Sequence, residues 1–326
     1  MKYFNIITIG AATRDVYLKS RAIKIIRDHS FSTGEGECFA LGSKIEIDEL
    51  IFETGGGATN TAVGFARQGL RTAFIGKIGA TDARGQEILR ALKADKVSTD
   101  LVIRDKTRST AYSVILLTAR GERTVLVYRG ASADFKIKDF KWSTIKGQWL
   151  YVTSLGGQLG ILKIIWRHAA INGLKIAWNP GQGELDRGYQ ALLPFIRQTD
   201  VMLLNQEEAA QLFNLTHEQD EVAFDQLRQV VKGIMVVTKG TDGAMAGNAN
   251  VSWHSSTHHV DVVDTTGCGD AFGCGFVGTI IRTKGNIPAA LKFATANSES
   301  VIRHIGAKNG LLKGKKLVDP VAVTRR

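Results

Sequence analysis

Between Trp149 and Leu204 the chain alternates short apolar runs with longer amphipathic ones, and this alternation narrows the possible folds more than any other feature. Trp149 to Thr153 reads as a strand, Leu159 to Ile171 as a helix, Leu174 to Trp178 as a strand, Arg187 to Arg197 as a helix and Val201 to Leu204 as a further strand. Such a pattern predicts an α/β fold in which a mostly parallel sheet carries helices on both faces. Phe4 to Gly10 reads as a buried first strand, and Val260 to Val263 as the end of a late one. Ligands of parallel sheets gather beyond the C-terminal strand ends. Asn179, Asn205 and the turn at Gly267 all follow strand-like runs and are expected to open onto one rim.

Three segments depart from this pattern. Ile45 to Phe52, Ala111 to Leu117 and Arg123 to Tyr128 alternate residue by residue, and the last two are separated by the turn-like Ala119-Arg120-Gly121-Glu122. They predict a small antiparallel sheet projecting from the main body. Its edges need covering, so a homodimer through this sheet is the expected state. Lys19 to Gly42 is irregular and rich in charge and glycine, and no element is assigned to it.

The 326 residues, 44% of them hydrophobic, suffice for one large α/β unit with an appendage. No apolar run approaches the roughly 18 residues of a membrane span, and the apolar stretch after Lys2 is too short for a signal peptide. Cys38, Cys268 and Cys274 are odd in number and lack metal-ligand spacing with histidine, which points to a reduced, cytoplasmic protein. The net charge of +11 is spread along the chain, apart from Lys313-Gly314-Lys315-Lys316 and the terminal Arg325 and Arg326. A solvated basic surface is therefore favoured over a specific nucleic-acid partner, and no membrane partner is expected.

The run Asp264-Thr265-Thr266-Gly267-Cys268-Gly269-Asp270-Ala271-Phe272 packs an anion-binding turn, a helix start and a carboxylate into nine residues. Backbone N–H groups of Gly267, Cys268 and Gly269 can converge on negative charge at a helix N-terminus. A carboxylate beside a phosphate repels it, so Asp270 suits the removal of a proton from an attacking hydroxyl. The plainer alternative makes Asp270 a helix N-cap. A second cluster, Gly55-Gly56-Gly57, heads another apolar helix with Asn60 one turn in. Three glycines let a substrate lie on the backbone, and the Asn60 amide suits sugar hydroxyls. Asp15 follows the first strand where it could accept from two hydroxyls, although a lone aspartate there is more often a turn former.

Taken in this order, these segments resemble the ribokinase family, the PfkB-type carbohydrate kinases, over nearly the whole chain. Gly56, Gly57 and Asn60 match its Gly-Gly-x-x-x-Asn signature, and Asp264 to Asp270 match Asp-Thr-x-Gly-x-Gly-Asp. Asn205-Gln206-Glu207-Glu208 is similar to its Asn-x-x-Glu element, and Val237 to Gly243 to its nucleotide loop, with Lys239 where an apolar residue is commoner. Phe293 to Asn297 resembles the segment that covers the adenine.

The resemblance implies a ribokinase-like three-layer sandwich in a single domain over residues 1–326, with a β lid from strands within about 16–53 and 108–130. It implies an ATP- and Mg²⁺-dependent kinase acting on a sugar hydroxyl. Asp270 would be the base and Gly267, Cys268 and Gly269 the anion hole, with substrate on Asp15, Gly56, Gly57 and Asn60. Nucleotide would contact Asn205, Thr238, Lys239, Gly240, Gly243, Thr295 and Asn297. Glu208 would reach Mg²⁺ through water, although capping by Asn205 and a surface role for Glu208 are nearly as plausible locally. A K⁺ site would use Asp264, Thr266, Val301, His304 and Gly306, with Gly310 near a position that often supplies a hydroxyl. Ser154 stands where ribokinase carries an acidic residue, which argues against ribose itself. Tyr128-Arg129 could recognise a carboxylate or sit at a dimer seam. Neutral sugar ranks first, nucleoside second and sugar acid third; a non-catalytic sensor on the same fold is the reading from another class.

Overall fold

The computed structural model describes residues 2–31, 34–118, 123–314 and 320–326. The expected turn Ala119–Glu122 and the lysines Lys315 and Lys316 lie outside the described residues. The alternating segments wind a nine-stranded sheet, in spatial order Val323–Arg325, Ser252–Ser255, Ala244–Gly247, Ile234–Thr238, Val201–Asn205, Lys175–Trp178, Gly147–Val152, Phe4–Ile9 and Thr72–Ile75. From Ile234–Thr238 to Thr72–Ile75 every pairing is parallel. At the other edge the pairings are antiparallel.

Successive strand residues face opposite ways, so each strand feeds two cores. Ile7, Ile9, Leu150, Val152 and Trp178 join one cluster with residues of the helices Leu159–Asn172, Tyr189–Ile196 and Asp220–Val230. Ile6, Tyr151, Ala177 and Leu203 join the other with Gly57–Arg67, Ala83–Ala94, Cys268–Thr283 and Ile287–Val301. The result is the three-layer α/β sandwich. Helix Leu159–Asn172 shows the local logic: it buries Ile161, Leu162, Ile165, Trp166 and Ala169 on one face and stops at Gly173, which is left-handed. In helix Cys268–Thr283, Gly275 lets helix Ile287–Val301 approach, since a Cβ there would lie 2.9 Å from the Ala294 Cα.

A separate four-stranded sheet runs Arg123–Tyr128, Ala111–Leu117, Thr13–Lys19, Glu49–Gly55. The two middle strands are parallel and the outer pairings antiparallel. Thr13–Lys19 is a strand the sequence conceals, because Thr13-Arg14-Asp15 carries polar and charged groups where a turn is expected. Asp15 therefore follows the first strand as expected, but lies inside a second strand and not in a turn. The strand expected at Ile45 to Phe52 runs instead over Glu49–Gly55. The unassigned Lys19 to Gly42 region contains an antiparallel pair, Lys24–Arg27 with Glu35–Cys38.

Val260 to Val263 forms no strand; the strand is Ser252–Ser255, and Val262 and Val263 are exposed. Their β-branched side chains favour extended backbone but find no partner strand. Among the described residues no helix is long and apolar enough to cross a membrane.

Gly275→Ala is expected to cost up to about 2 kcal/mol, because overpacking at about 1–3 kcal/mol is offset by the roughly 1 kcal/mol gained in helix propensity. A urea midpoint at or above that of the parent would show that the helix pair is not tight at Gly275.

Candidate active site

Helix Cys268–Thr283 starts from Gly267, whose φ of 77° and whose place 2.3 Å, at a would-be Cβ, from the Ala307 Cβ both demand glycine. No side chain caps this helix, so its first-turn N–H groups have no partner within it. Gly267, Gly269 and Asp270 line a cleft with Asn179, Asn205, Glu208 and Thr238. Asn179 and Asn205, which follow strands, thus share one rim with Gly267, which follows a loop because Val260 to Val263 forms no strand. A Cβ on Gly269 would meet nothing within 4 Å. The Cys268 N–H differs from the rest of the expected trio, since it donates to the Thr265 carbonyl at 3.3 Å.

Asp270 is not the N-cap, a position held by Gly267. Its Oδ2 accepts from Asn60 Nδ2 at 2.8 Å across 210 residues of sequence. A Cβ on Gly57 would lie 3.1 Å from its Oδ1. Both glycine clusters therefore converge on one carboxylate. Burial pushes the Asp270 carboxyl above its ordinary range, and the Asn60 hydrogen bond and the charge of Lys308 oppose that rise.

On the side of the four-stranded sheet, Asp15 is buried, its Oδ1 accepting from Thr13 Oγ1 at 2.9 Å. Gly55 must be small, because a Cβ would fall 1.8 Å from Asp15 Oδ2. Burial raises this carboxyl too, against Thr13, Ser113, Lys308 and Arg14. Asn60 Oδ1 is buried with no partner among the described residues, so an acceptor stays available beside Asp270. Gly56, at φ 94°, precedes the helix Gly57–Arg67.

Lys308 was invisible to the sequence reading. It is buried, and its Nζ donates to the Thr54 carbonyl at 2.5 Å and to Thr54 Oγ1 at 3.0 Å. Burial lowers the ammonium to about 8, opposed by Asp15, Glu53, Asp270 and Asp95. A single lysine in Gly306-Ala307-Lys308-Asn309-Gly310 carries no pattern that separates it from a solvated loop residue.

Across the cleft, Asn205 and Glu208 cap one helix reciprocally: Glu208 N–H donates to Asn205 Oδ1 at 2.7 Å and Asn205 N–H to Glu208 Oε2 at 2.9 Å. Both also line the cleft. Capping and a place in the site are thus compatible, because the cap engages one Glu208 carboxylate oxygen. Burial raises the Glu208 carboxyl, opposed by the Asn205 N–H and reinforced by Glu207. Among the described residues no group of three or more His, Cys, Asp or Glu could hold a metal. A Mg²⁺ fits this donor set as a hydrated ion shared with phosphates, not as a caged one.

Thr238 lines the cleft, whereas the Lys239 ammonium pairs with Asp220 at 3.0 Å and Glu221 at 3.8 Å. Its charge is committed to helix Asp220–Val230. Gly240 and Gly243 bracket a tight turn with φ of 57° and 89°. Thr295 and Asn297 depart from expectation, since both side chains are buried. Asn297 donates to the Ala271 carbonyl at 2.7 Å and accepts from Leu312 N–H at 2.8 Å, while Thr295 Oγ1 lies 3.4 Å from Ser255 Oγ. They join elements to one another and leave no side-chain donor for a nucleotide.

The residues implied for K⁺ do share a corner. Asp264 Oδ1 accepts from Thr266 N–H at 2.8 Å and Thr266 Oγ1 at 2.6 Å, Oδ2 accepts from Gly306 N–H at 3.0 Å, and Val301 carbonyl accepts from His304 N–H at 3.0 Å. The His304 side chain is exposed, with Nδ1 2.9 Å from the Ser300 carbonyl. Ser154 spends its hydroxyl on Glu184 at 2.8 Å, and that fully buried carboxylate also accepts from Leu155, Gly157 and Gly181 N–H. Tyr128 and Arg129 are exposed at the outer lid strand.

Residues 6–313 match the pfkB family carbohydrate kinase. The chain belongs to the pfkB family. Among curated proteins it is similar to the probable chloroplastic fructokinase-6 of Arabidopsis thaliana, at 27% identity over 78% of this chain and 70% of that protein. It is also similar to the ribokinase of Staphylococcus aureus (strain COL), at 26% identity over 82% and 88%. Among solved structures, adenosine kinase from Sinorhizobium meliloti superposes with a TM-score of 0.78 at 22% identity, covering 95% of this chain and 98% of that one. This pfkB protein is a kinase that phosphorylates a small sugar or nucleoside substrate.

In this pfkB chain the two turn glycines separate by room. Gly267→Ala is expected to lose about 1–3 kcal/mol through its left-handed backbone and the Ala307 contact. Gly269→Ala is expected to melt close to the parent, so equal melting losses for the two would contradict the geometry.

Proposed function

We propose that the protein transfers the γ-phosphoryl group of ATP to a hydroxyl of a small, neutral sugar-like substrate, with Asp270 as general base. The observation that carries this reading is the Asp270 carboxylate, held by Asn60 between the Gly55–Gly57 segment and the uncapped helix start at Gly267. The acceptor hydroxyl lies against the lid-side glycines and donates to Asp270. As the oxygen attacks, Asp270 takes its proton, and the N–H groups at the turn stabilise charge on the transferred group. Glu208, fixed by Asn205 through the mutual cap, would hold a hydrated Mg²⁺, which would supply neutralisation of phosphate charge. Thr238, Gly240 and Gly243 border the nucleotide. The Asp264 corner would hold K⁺, which would supply order to the turn.

A neutral polyhydroxyl acceptor is favoured because the groups offered on the lid side are the Asp15 carboxylate and the unpartnered Asn60 Oδ1. Both accept hydrogen bonds. A carboxylate on the substrate would face the Asp15 carboxylate, and like charges repel.

Asp270→Asn should keep the Asn60 contact in outline while cutting turnover by roughly 10² to 10⁴, with ATP affinity retained. Burial raises the Asp270 carboxyl, and the base must be ionised, so kcat/KM should fall on the acid side at a pH above the ordinary aspartate value. Turnover is measured by ADP release on a panel of sugars, nucleosides and sugar acids. Near-parental turnover in the folded variant would remove Asp270 as base, and ADP release with nucleosides alone would overturn the sugar assignment.

The lid is also proposed to form the contact of a homodimer. Leu50, Phe52, Val125 and Val127 are exposed large hydrophobics on its outer strands, an apolar surface of the kind interaction sites present. Light scattering should give twice the chain mass, and Val125→Asp should return it to the monomer. A monomeric parent at micromolar concentration would exclude this contact.

A further inference from the structure

We infer that Lys308 is a positioning residue for phosphoryl transfer: clamped onto Thr54, its ammonium is the buried positive charge that keeps the carboxylates of Asp15 and Asp270 ionised at the acceptor site. The inference rests on the reading of Asp270 as base.

The clamp is geometric. Lys308 is fixed at its backbone by Arg67, which donates to its carbonyl at 2.6 Å, and at its tip by the carbonyl and hydroxyl of Thr54. Thr54 leads directly into the glycine segment. A Cβ on Gly55, one residue on, would fall 1.8 Å from Asp15 Oδ2, and one on Gly57, three residues on, 3.1 Å from Asp270 Oδ1. The ammonium thus holds the strand end that runs past both carboxylates.

The electrostatics converge on the same residue. Asp15 is buried and Asp270 half-buried, and desolvated carboxylates favour their neutral forms unless a cation offsets the lost hydration. The groups facing Asp270 are the Asn60 amide from helix Gly57–Arg67, the Tyr151 hydroxyl from the central sheet, the Cys274 thiol on its own helix, and Lys308 from the loop after helix Ile287–Val301. Of these, only Lys308 is cationic. Near Asp15 the other cation is Arg14, which is paired with Glu87 at 2.7 Å. Of the other acids around Lys308, Asp95 is paired with Arg67 at 2.7 and 3.0 Å, whereas Glu53 accepts from the neutral Asn309 amide at 2.8 Å and shares the Lys308 charge with Asp15 and Asp270.

The test compares Lys308→Gln, which keeps an N–H donor for Thr54 but loses the charge, with Lys308→Arg, which keeps the charge. In the Gln variant the acid limb of kcat/KM should move to higher pH by about one unit, while the Arg variant keeps the parental limb. ATP affinity and melting temperature establish that each variant is folded. A folded Gln variant whose limb does not move, whatever its kcat, would reduce Lys308 to a strand anchor and overturn the inference. If the Gln variant does not fold, the parent decides: a buried charge is poorly screened, so its acid limb should stay in place between about 0.05 and about 1 M salt, and a limb that tracks salt would overturn the inference. Asp270→Asn decides the base reading separately. Parental turnover there removes the base, whereas an unmoved limb in Lys308→Gln removes only the role of Lys308.

Discussion

The hydrogen bond from Asn60 to Asp270 is the contact on which the site depends, because it ties together two helix starts that are 210 residues apart in sequence. Each start opens with glycines, and each helix packs on the same face of the central sheet. A half-buried carboxylate at their meeting point needs donors to stay charged. Asn60 supplies one donor directly, and Lys308 supplies charge from a third segment. Charge at the site is thus set by three elements that share no sequence neighbourhood.

Close approach explains much of the glycine usage around this meeting point. Gly57 and Gly55 leave room for carboxylate oxygens, Gly267 for Ala307, and Gly275 for helix Ile287–Val301. Interiors packed at crystal-like density leave no slack for a methyl group at such points. The same crowding has a chemical consequence. Asp15 is buried and Asp270 half-buried at the cleft wall, which strengthens their charge interactions with neighbours relative to water.

Much of the site was legible because its parts are local. The turn at Gly267 to Gly269, the Asn205–Glu208 spacing and the Gly-rich helix start are each contained in a few residues, and each lies at a helix start in the structure, with Cys268 N–H turned to the Thr265 carbonyl. Lys239, Thr295 and Asn297 read differently for a common reason. Whether a lysine meets phosphate or Asp220, and whether an asparagine faces a cleft or two backbone groups, depends on elements that arrive from elsewhere in the chain. Thr13–Lys19 escaped notice on the same ground: its polar start pairs with Glu49–Gly55 and Ala111–Leu117, and a strand's partners decide it more than its own propensity.

The sequence by itself determined the layered α/β class, the order of strands and helices through the middle of the chain, and the chemistry available at Asp270, since periodicity and short-range backbone geometry are local properties. Only the tertiary structure decided which carboxylates share a buried space, that Ser154 is spent on Glu184, and that Lys308 reaches Thr54. Desolvation and charge act through distance in space, and distance in space is fixed by the packing of helices on the sheet, which no single segment encodes.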